Sequence, residues 1–270
     1  MIKDRLTKET LNELYTINEC SLQDIANDFD CTKVYIAKLM KSYNIPRRSK
    51  SNARKLAVAQ GKIIGHSRNY VNEKFFDKWS DEMAYVLGFL YADGCITHNT
   101  ISASQKEPEI LFKVLKAMDS NCKVRESNTR EIFAFHLCDE YLSNSAREKG
   151  LIERKSLTMT YPNIPEEYER HFIRGLWDGD GSIMIGKNGY PSVSFVCGSL
   201  EFITMLKERL EYHGMRVGNV NPDHNAYKIR LSGFEQCDKM GNFFYLGVDE
   251  LYLNRKHEKS LMISAIYKNQ

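Results

Sequence analysis

Two aspartates 87 positions apart, Asp93 and Asp180, stand in matching sequence contexts that could assemble a metal site. Tyr85-Val86-Leu87-Gly88-Phe89-Leu90-Tyr91-Ala92-Asp93-Gly94 returns as Phe172-Ile173-Arg174-Gly175-Leu176-Trp177-Asp178-Gly179-Asp180-Gly181. Each copy reads as an apolar helix ending in Asp-Gly. Small residues four apart, Gly88 and Ala92 in one copy and Gly175 and Gly179 in the other, allow two helix backbones to approach closely. A carboxylate at a helix C-terminus opposes the helix dipole and is disfavoured without a compensating cation. Packed through their small faces, the two helices would bring Asp93 and Asp180 together, and two carboxylates with nearby backbone carbonyls make an oxygen-rich site suited to Mg²⁺. One Asp-Gly could simply terminate a helix, with Gly as its left-handed cap. Two copies in matching contexts argue for a shared site.

The elements that would hold these acids repeat as well. Strand-like alternation covers residues 95–105, with a turn near His98-Asn99, and residues 182–196, with a turn at Lys187-Asn188-Gly189. Helices are expected over 107–118 and 199–213. Second strand pairs follow, 122–125 with 132–137 and 215–220 with 227–232, and a helix closes each copy. Both copies therefore read αββαββα, an α+β class of two pseudo-symmetric halves, residues 79–163 and 164–270. Polar and apolar residues alternate along the strands: Lys228, Arg230 and Ser232 against Tyr227, Ile229 and Leu231, and Thr100, Ser102 and Ser104 against Ile101 and Ala103. The basic residues Lys123, Arg125, Lys187, Arg216, Lys228 and Arg230 stand on or beside these strands.

Residues 1–46 read as three short helices. Ser21 and Asp24 form a variant capping box before Leu22, Thr32 can cap a helix over 33–43 that carries Val34, Ile36, Leu39 and Met40, and Asn44-Ile45-Pro46 stops it. The spacing is that of a helix-turn-helix, with Ala26 permitting close approach and Asp30 in the turn position where Gly is common. Lys33, Tyr35 and Lys38 would then face a groove. A plain three-helix cap has the same periodicity. What favours DNA is the segment that follows: residues 47–78 hold nine Lys/Arg against two Asp/Glu, while 1–46 hold six against seven. A solvated linker would be basic too, yet a strap beginning at Arg47 and Arg48 could release counterions from phosphates.

Composition fits a soluble protein with a substantial core, 270 residues with 42% hydrophobic and 27% charged, and this argues against disorder. No apolar run approaches the length that spans a bilayer, and Met1-Ile2-Lys3-Asp4 opens no signal peptide, so no membrane association is expected. The seven cysteines are scattered without a CxxC pair, which reads as reduced core residues and argues against structural zinc.

The repeated segments resemble the two copies of the LAGLIDADG motif, and the chain from about Trp79 onward resembles a double-motif LAGLIDADG homing endonuclease with an appended helix-turn-helix module. The resemblance implies that Asp93 and Asp180 hold divalent metal, Mg²⁺, and that the reaction is hydrolysis of both strands of a long asymmetric double-stranded DNA site by a monomer. It further implies catalytic roles for Lys155, in Leu151-Ile152-Glu153-Arg154-Lys155-Ser156, and for Lys256, in Leu253-Asn254-Arg255-Lys256-His257. Gln105 matches the polar residue that closes the first hairpin, and Cys197 occupies its place in the second half. Tyr91 replaces the first acid of motif one, which is not the metal ligand. Two other readings share this fold: a non-catalytic DNA-binding regulator, against which both retained acids argue, and an RNA maturase that assists intron splicing, with intron RNA as partner. An intein is not expected, because the chain neither begins with Cys or Ser nor ends in His-Asn. With neither a bilayer-spanning run nor a signal peptide read in the sequence, the expected location is the cytoplasm near the nucleoid, or the host-cell cytoplasm if phage-encoded.

Overall fold

A computed structural model describes residues 5–62, 70–127, 131–153, 155–187, 189–248 and 250–269. It divides into two compact units, Met1–Arg68 and Asn69–Gln270.

In the first unit, α1 (Lys8–Asn12) runs into a π-type turn (Glu13–Ile17) and is followed by α2 (Leu22–Asp28), α3 (Lys33–Ser42) and α4 (Lys50–Ala59). The expected capping box is formed: Ser21 N–H donates to Asp24 Oδ2 at 2.8 Å and Asp24 N–H to Ser21 Oγ at 3.1 Å. Thr32 Oγ1 accepts from Tyr35 N–H at 3.2 Å, which starts α3. Asp30 takes the left-handed turn position, φ 48°. Leu11, Ile25, Ala26, Ile36 and Met40 are fully buried in this unit's own core. Val34, expected on a helix with an inward face, is 63% exposed, because the turn of α3 that carries Ile36, Leu39 and Met40 inward rotates position 34 away.

The expected linker over 47–78 is not one segment. Ser49 caps α4, accepting from Asn52 N–H at 3.1 Å, so its start belongs to the first unit. At its other end Phe75 and Phe76 are buried in the core of the second unit. Residues 63–69 of the basic strap lie outside the described residues.

The second unit repeats one architecture. The first half is α5 (Asp81–Asp93), β1 (Gly94–Thr97), β2 (Thr100–Gln105), α6 (Pro108–Ala117), β3 (Arg125–Glu126), β4 (Phe133–Cys138) and α7 (Glu140–Glu148). The second is α8 (Glu166–Asp180), β5 (Ser182–Ile185), β6 (Pro191–Cys197), α9 (Leu200–Tyr212), β7 (Asn221–Asp223), β8 (Ala226–Ser232) and α10 (Phe234–Tyr245), with a further helix α11 (Asn254–Lys268). Each half builds a four-stranded antiparallel sheet, in the orders β1-β2-β4-β3 and β5-β6-β8-β7. The duplication read from the sequence is thus a duplication of αββαββα topology.

Two strands differ from expectation. Only Arg125 of the expected strand over 122–125 is in a strand. The segment 215–220 is not a strand, and β7 forms after it, because the Arg216 N–H is taken by Gln236 Oε1 at 2.7 Å. That segment meets β8 through a Gly218 N–H bond to Arg230 O at 2.8 Å. Elsewhere the alternation holds: Ile101, Ala103, Ile229 and Leu231 are buried, whereas Ser104, Arg230 and Ser232 face solvent. No helix among the described residues is long and apolar enough to cross a membrane.

Helices α5 and α8 form the spine of this unit. A Cβ added to Gly88 would lie 1.9 Å from Phe172 O, and one on Gly175 would lie 2.0 Å from Tyr85 O. The two backbones touch where the sequence supplies no side chain, which explains why α5 is buried from Met83 to Tyr91.

Candidate active site

Because α5 and α8 cross at their small residues, their C-terminal ends emerge together. A Cβ on Gly179 would stand 2.2 Å from Ala92 Cβ and 3.0 Å from Asp93 Oδ2, so Asp93 lies against the turn of α8 that ends in Asp180. Gly94 and Gly181 are extended (φ −84° and −75°) and are not left-handed caps. Glycine is needed there for room: a Cβ would come within 2.5 Å of Leu90 O at Gly94 and 2.0 Å of Trp177 Cδ1 at Gly181.

The compensating cations that such helix ends require are Lys155 and Lys256. Lys155 Nζ, from a short 3₁₀ turn (Lys155–Leu157), donates to Ala92 O at 3.2 Å and Gly94 O at 2.5 Å. Lys256 Nζ, from the first turn of α11, donates to Asp178 O at 2.9 Å, Gly181 O at 2.6 Å and Trp177 O. Each ammonium caps the negative end of its own motif helix. With three carbonyls, Lys256 uses its whole donor set, which accounts for an ammonium only 1% exposed. Burial lowers both lysines, Lys256 to about 8.

Asp93 lies near enough to Asp180 for its charge to act on that carboxyl. Gln105 Nε2 donates to Asp93 Oδ2 at 2.5 Å, while the Asp180 carboxylate accepts no hydrogen bond among the described residues. Asp180 keeps a solvent-facing side, yet the surrounding protein withdraws enough water to raise it to about 6, with Asp93 as the second cause. Burial also raises Asp93, offset by Gln105 and the two lysines. A cavity of about 190 Å³ opens beside Asp180, lined in part by Tyr91, Lys155 and Cys197. Two hard oxygen donors with an unpartnered carboxylate and mutual repulsion fit a divalent cation such as Mg²⁺, which takes few protein ligands and keeps several waters. No group of three or more His, Cys, Asp or Glu able to hold a metal occurs among the described residues.

Strand register aligns the two halves residue by residue. Cys95 pairs with Ser102, and Ser182 with Ser194, which makes Gln105 and Cys197 equivalent positions. Cys197 is buried, and its Sγ accepts from Ser199 N–H at 3.4 Å. A larger cavity, about 840 Å³, lies near the start of α5, remote from the acids. Its cations are already engaged, Lys116 with Glu250 at 2.8 Å and Lys113 with Tyr252 O at 2.9 Å.

The remaining candidates are dispersed. On the strands, Lys123, Arg125, Lys187 and Arg230 are exposed, Arg216 pairs with Glu235 at 3.0 Å and half-buried Lys228 with Asp223 at 3.3 Å. Asn188 and Arg154 lie outside the described residues. In the first unit Lys33, Lys38 and Arg47 are exposed, and Tyr35 packs partly against the core. Arg48 is committed within that unit: its guanidinium lies 4.0 Å over the Tyr15 ring and donates to Cys20 O and Tyr15 O. Sequence reasoning passed over Asp178, which is fully buried, and His136, which pairs with Ser102 and is exposed. The Asp-Gly-Asp-Gly run was a signal for the first, since it sets two acids in the last turn of one helix.

Residues 167–228 match the family described as a LAGLIDADG-like domain. Among solved structures, the LAGLIDADG meganuclease I-AabMI bound to uncleaved DNA is similar at 12% identity and a TM-score of 0.51, over 68% of this chain and 90% of that one. The meganuclease I-SmaMI bound to uncleavable DNA is similar at 12% identity and a TM-score of 0.50, over 69% and 90%. Full-length DUF199/WhiA from Thermatoga maritima aligns at 16% identity and a TM-score of 0.47, over 74% and 65%. No curated protein sequence matches the chain. The second unit has the LAGLIDADG fold.

Proposed function

We propose that this chain, whose second unit has the LAGLIDADG fold, is a divalent-metal-dependent endonuclease that cuts both strands of an asymmetric double-stranded DNA site. The observation that carries the reading is the pairing of Asp93 and Asp180 at touching helix ends, each end neutralised by its own lysine, with no hydrogen bond to the Asp180 oxygens among the described residues. A regulator of this fold would have no use for two raised, adjacent carboxylates, whose repulsion costs stability unless a cation binds between them.

In this reading Asp93 and Asp180 hold the ion, and Gln105 fixes the orientation of the Asp93 carboxyl. A bound divalent ion supplies Lewis-acid stabilisation of the scissile phosphate and lowers the pKa of water. Lys155 and Lys256 keep positive charge behind the carboxylates, where it offsets charge gathering on the phosphate. The outward strand residues Arg125, Arg230, Lys228, Ser102 and Ser104 read base edges, and the first unit, with Lys33, Lys38 and Arg47, extends the contact along the duplex. One chain carries both motifs, so it acts as a monomer.

Selection from a randomised double-stranded library, bound in Ca²⁺ and then cut in Mg²⁺, tests the proposal. The wild-type protein should linearise selected sites. Asp93→Asn and Asp180→Asn should bind them in Ca²⁺ and fail to cut. Full cutting by either variant would exclude the metal assignment, and tight RNA binding without DNA cleavage would favour the maturase reading.

A further inference from the structure

The lysines reach the helix ends because something holds the segments that carry them, and in both halves the holder has the same sequence position. Asp178 lies two residues before Asp180. Its Oδ2 accepts from Leu253 N–H at 2.9 Å and from Tyr85 Oη at 2.7 Å. Leu253 is the residue from which α11 starts, three positions before Lys256. The buried carboxylate therefore ties the root of the Lys256 turn to the helix whose carbonyls Lys256 caps, and ties both to the opposing motif helix through Tyr85.

Tyr91 lies two residues before Asp93. Its hydroxyl donates to Lys149 O at 3.3 Å, at the end of α7, where the chain turns through Gly150 toward Lys155. Gly150 has φ +90°, and a Cβ there would stand 2.3 Å from Tyr91 Oη, so the turn is built around that hydroxyl. Leu151 and Leu253, the leucines that open the two lysine segments, are both buried. The two anchors use opposite chemistry: a phenol donates to a carbonyl in the first half, and a carboxylate accepts from an amide in the second. The unlike residues at this motif position thus do one job.

We propose that Tyr91 and Asp178 are positioning residues, each fastening the segment that brings its half's lysine onto the end of the motif helix. Their meaning for catalysis rests on the nuclease reading; the anchoring itself does not. Displacement of a positioned group by about 1 Å costs up to roughly a hundredfold in rate. Removing one anchor should therefore slow one strand and spare the other.

The test has two arms. In the first, nicking of each strand of a selected site is timed in Mg²⁺. Tyr91→Phe should slow one strand about tenfold or more with DNA affinity unchanged, and Asp178→Leu should slow the opposite strand. Asp178→Asn, which keeps an oxygen for Tyr85 and the Leu253 amide, should recover most of the rate. In the second arm, amide hydrogen exchange is followed on the metal-free, DNA-free chain. Tyr91→Phe should speed exchange at Gly150 and Leu151 by about tenfold, and Asp178→Leu at Leu253 and Lys256, each without affecting the other segment. Equal slowing of both strands, loss of affinity alone, or unchanged exchange at these amides would overturn the proposal. If the wild-type chain cuts no DNA the nuclease reading fails, and the exchange arm decides the anchoring by itself.

Discussion

Gly175 of α8 rests directly on the carbonyl oxygen of Tyr85 in α5: the Cβ it lacks would lie 2.0 Å from that atom. Gly88 stands in the same relation to Phe172 O. Both contacts are backbone against backbone, so no side chain can move aside. Gly175→Ala must push the helices apart, opening voids in the surrounding core, and overpacking of this kind costs roughly 3 kcal/mol. Urea unfolding of Gly88→Ala and Gly175→Ala should show that loss, and separation of the helix ends should reduce cleavage further than stability alone requires. A wild-type midpoint in either variant would contradict the close approach.

Asp180 should be a liability to the metal-free fold. Its folded pKa of about 6 lies above the ordinary 3.8, chiefly through burial and secondarily through Asp93. A raised acid contributes stability that is fully present below about pH 4 and is lost as the pH rises through about 6. Discounted for its solvent-facing side, the penalty above that window is on the order of 1 kcal/mol. In chelator at pH 8, Asp180→Asn should therefore melt higher than wild type, and the gain should vanish near pH 4. A variant that melts lower at pH 8 would show that the carboxylate is held by favourable contacts.

The rate of cleavage should be bell-shaped in pH. On the proposed metal role, protonation of Asp180 would remove a cation ligand as the pH falls through about 6, and deprotonation of Lys256 would remove the cap on α8 as it rises through about 8. Single-turnover rates at fixed, subsaturating Mg²⁺ should peak between these values. Raising Mg²⁺ should move the acidic limb downward, because the ion competes with the proton for Asp180, and leave the alkaline limb in place. A flat profile from pH 6 to 9 would detach both groups from the chemistry.

The acids were legible because the requirement that brings them together is local: small residues four apart, then Asp-Gly, twice. The topology was legible for the same reason, since each half repeats a period of alternation that the other half corroborates. The anchors were not. Tyr91 and Asp178 differ in type, and their partners, Lys149 O and Leu253 N–H, are backbone groups 58 and 75 residues away that carry no sequence signature. The strand expected over 215–220 failed for a similar reason, because a distant side chain, Gln236, took the amide that a ladder would have used. Chain reversal and lack of space both select glycine, and at Gly94 and Gly181 only the neighbours Leu90 and Trp177 show that lack of space is the reason.

The boundary between the units changes how the first one should be removed. Phe75 and Phe76 belong to the core of the second unit, so a deletion through residue 78 would damage that unit, whereas deletion of 1–68 follows the compact division. The shortened chain should retain cutting, protect a shorter stretch on one side of the site, and show a shallower dependence of affinity on salt, since Lys33, Lys38 and Arg47 would no longer displace counterions. An unchanged footprint and salt slope would make the first unit a structural cap.

The two strands should be cut at unequal rates. Gln105 donates to Asp93 in the first half, and its counterpart Cys197 offers Asp180 no hydrogen bond, being a buried thiol that burial keeps in its neutral form and that accepts from Ser199 N–H. Asp180 therefore lacks the donor that would fix its orientation and favour its charged form, and the step depending on it should lag. A nicked intermediate should accumulate in single-turnover reactions, with the slower strand the same at every site. Cys197→Gln supplies the missing amide at the equivalent register position. It should lower the Asp180 pKa, speed the slower strand by about tenfold, the rate equivalent of one hydrogen bond to a charged group, and reduce the nicked species. Faster cutting of the strand that is already fast would assign Cys197 to the wrong half. No change in either strand, with the nick still accumulating, would place the asymmetry in DNA binding and not in the carboxylate pair.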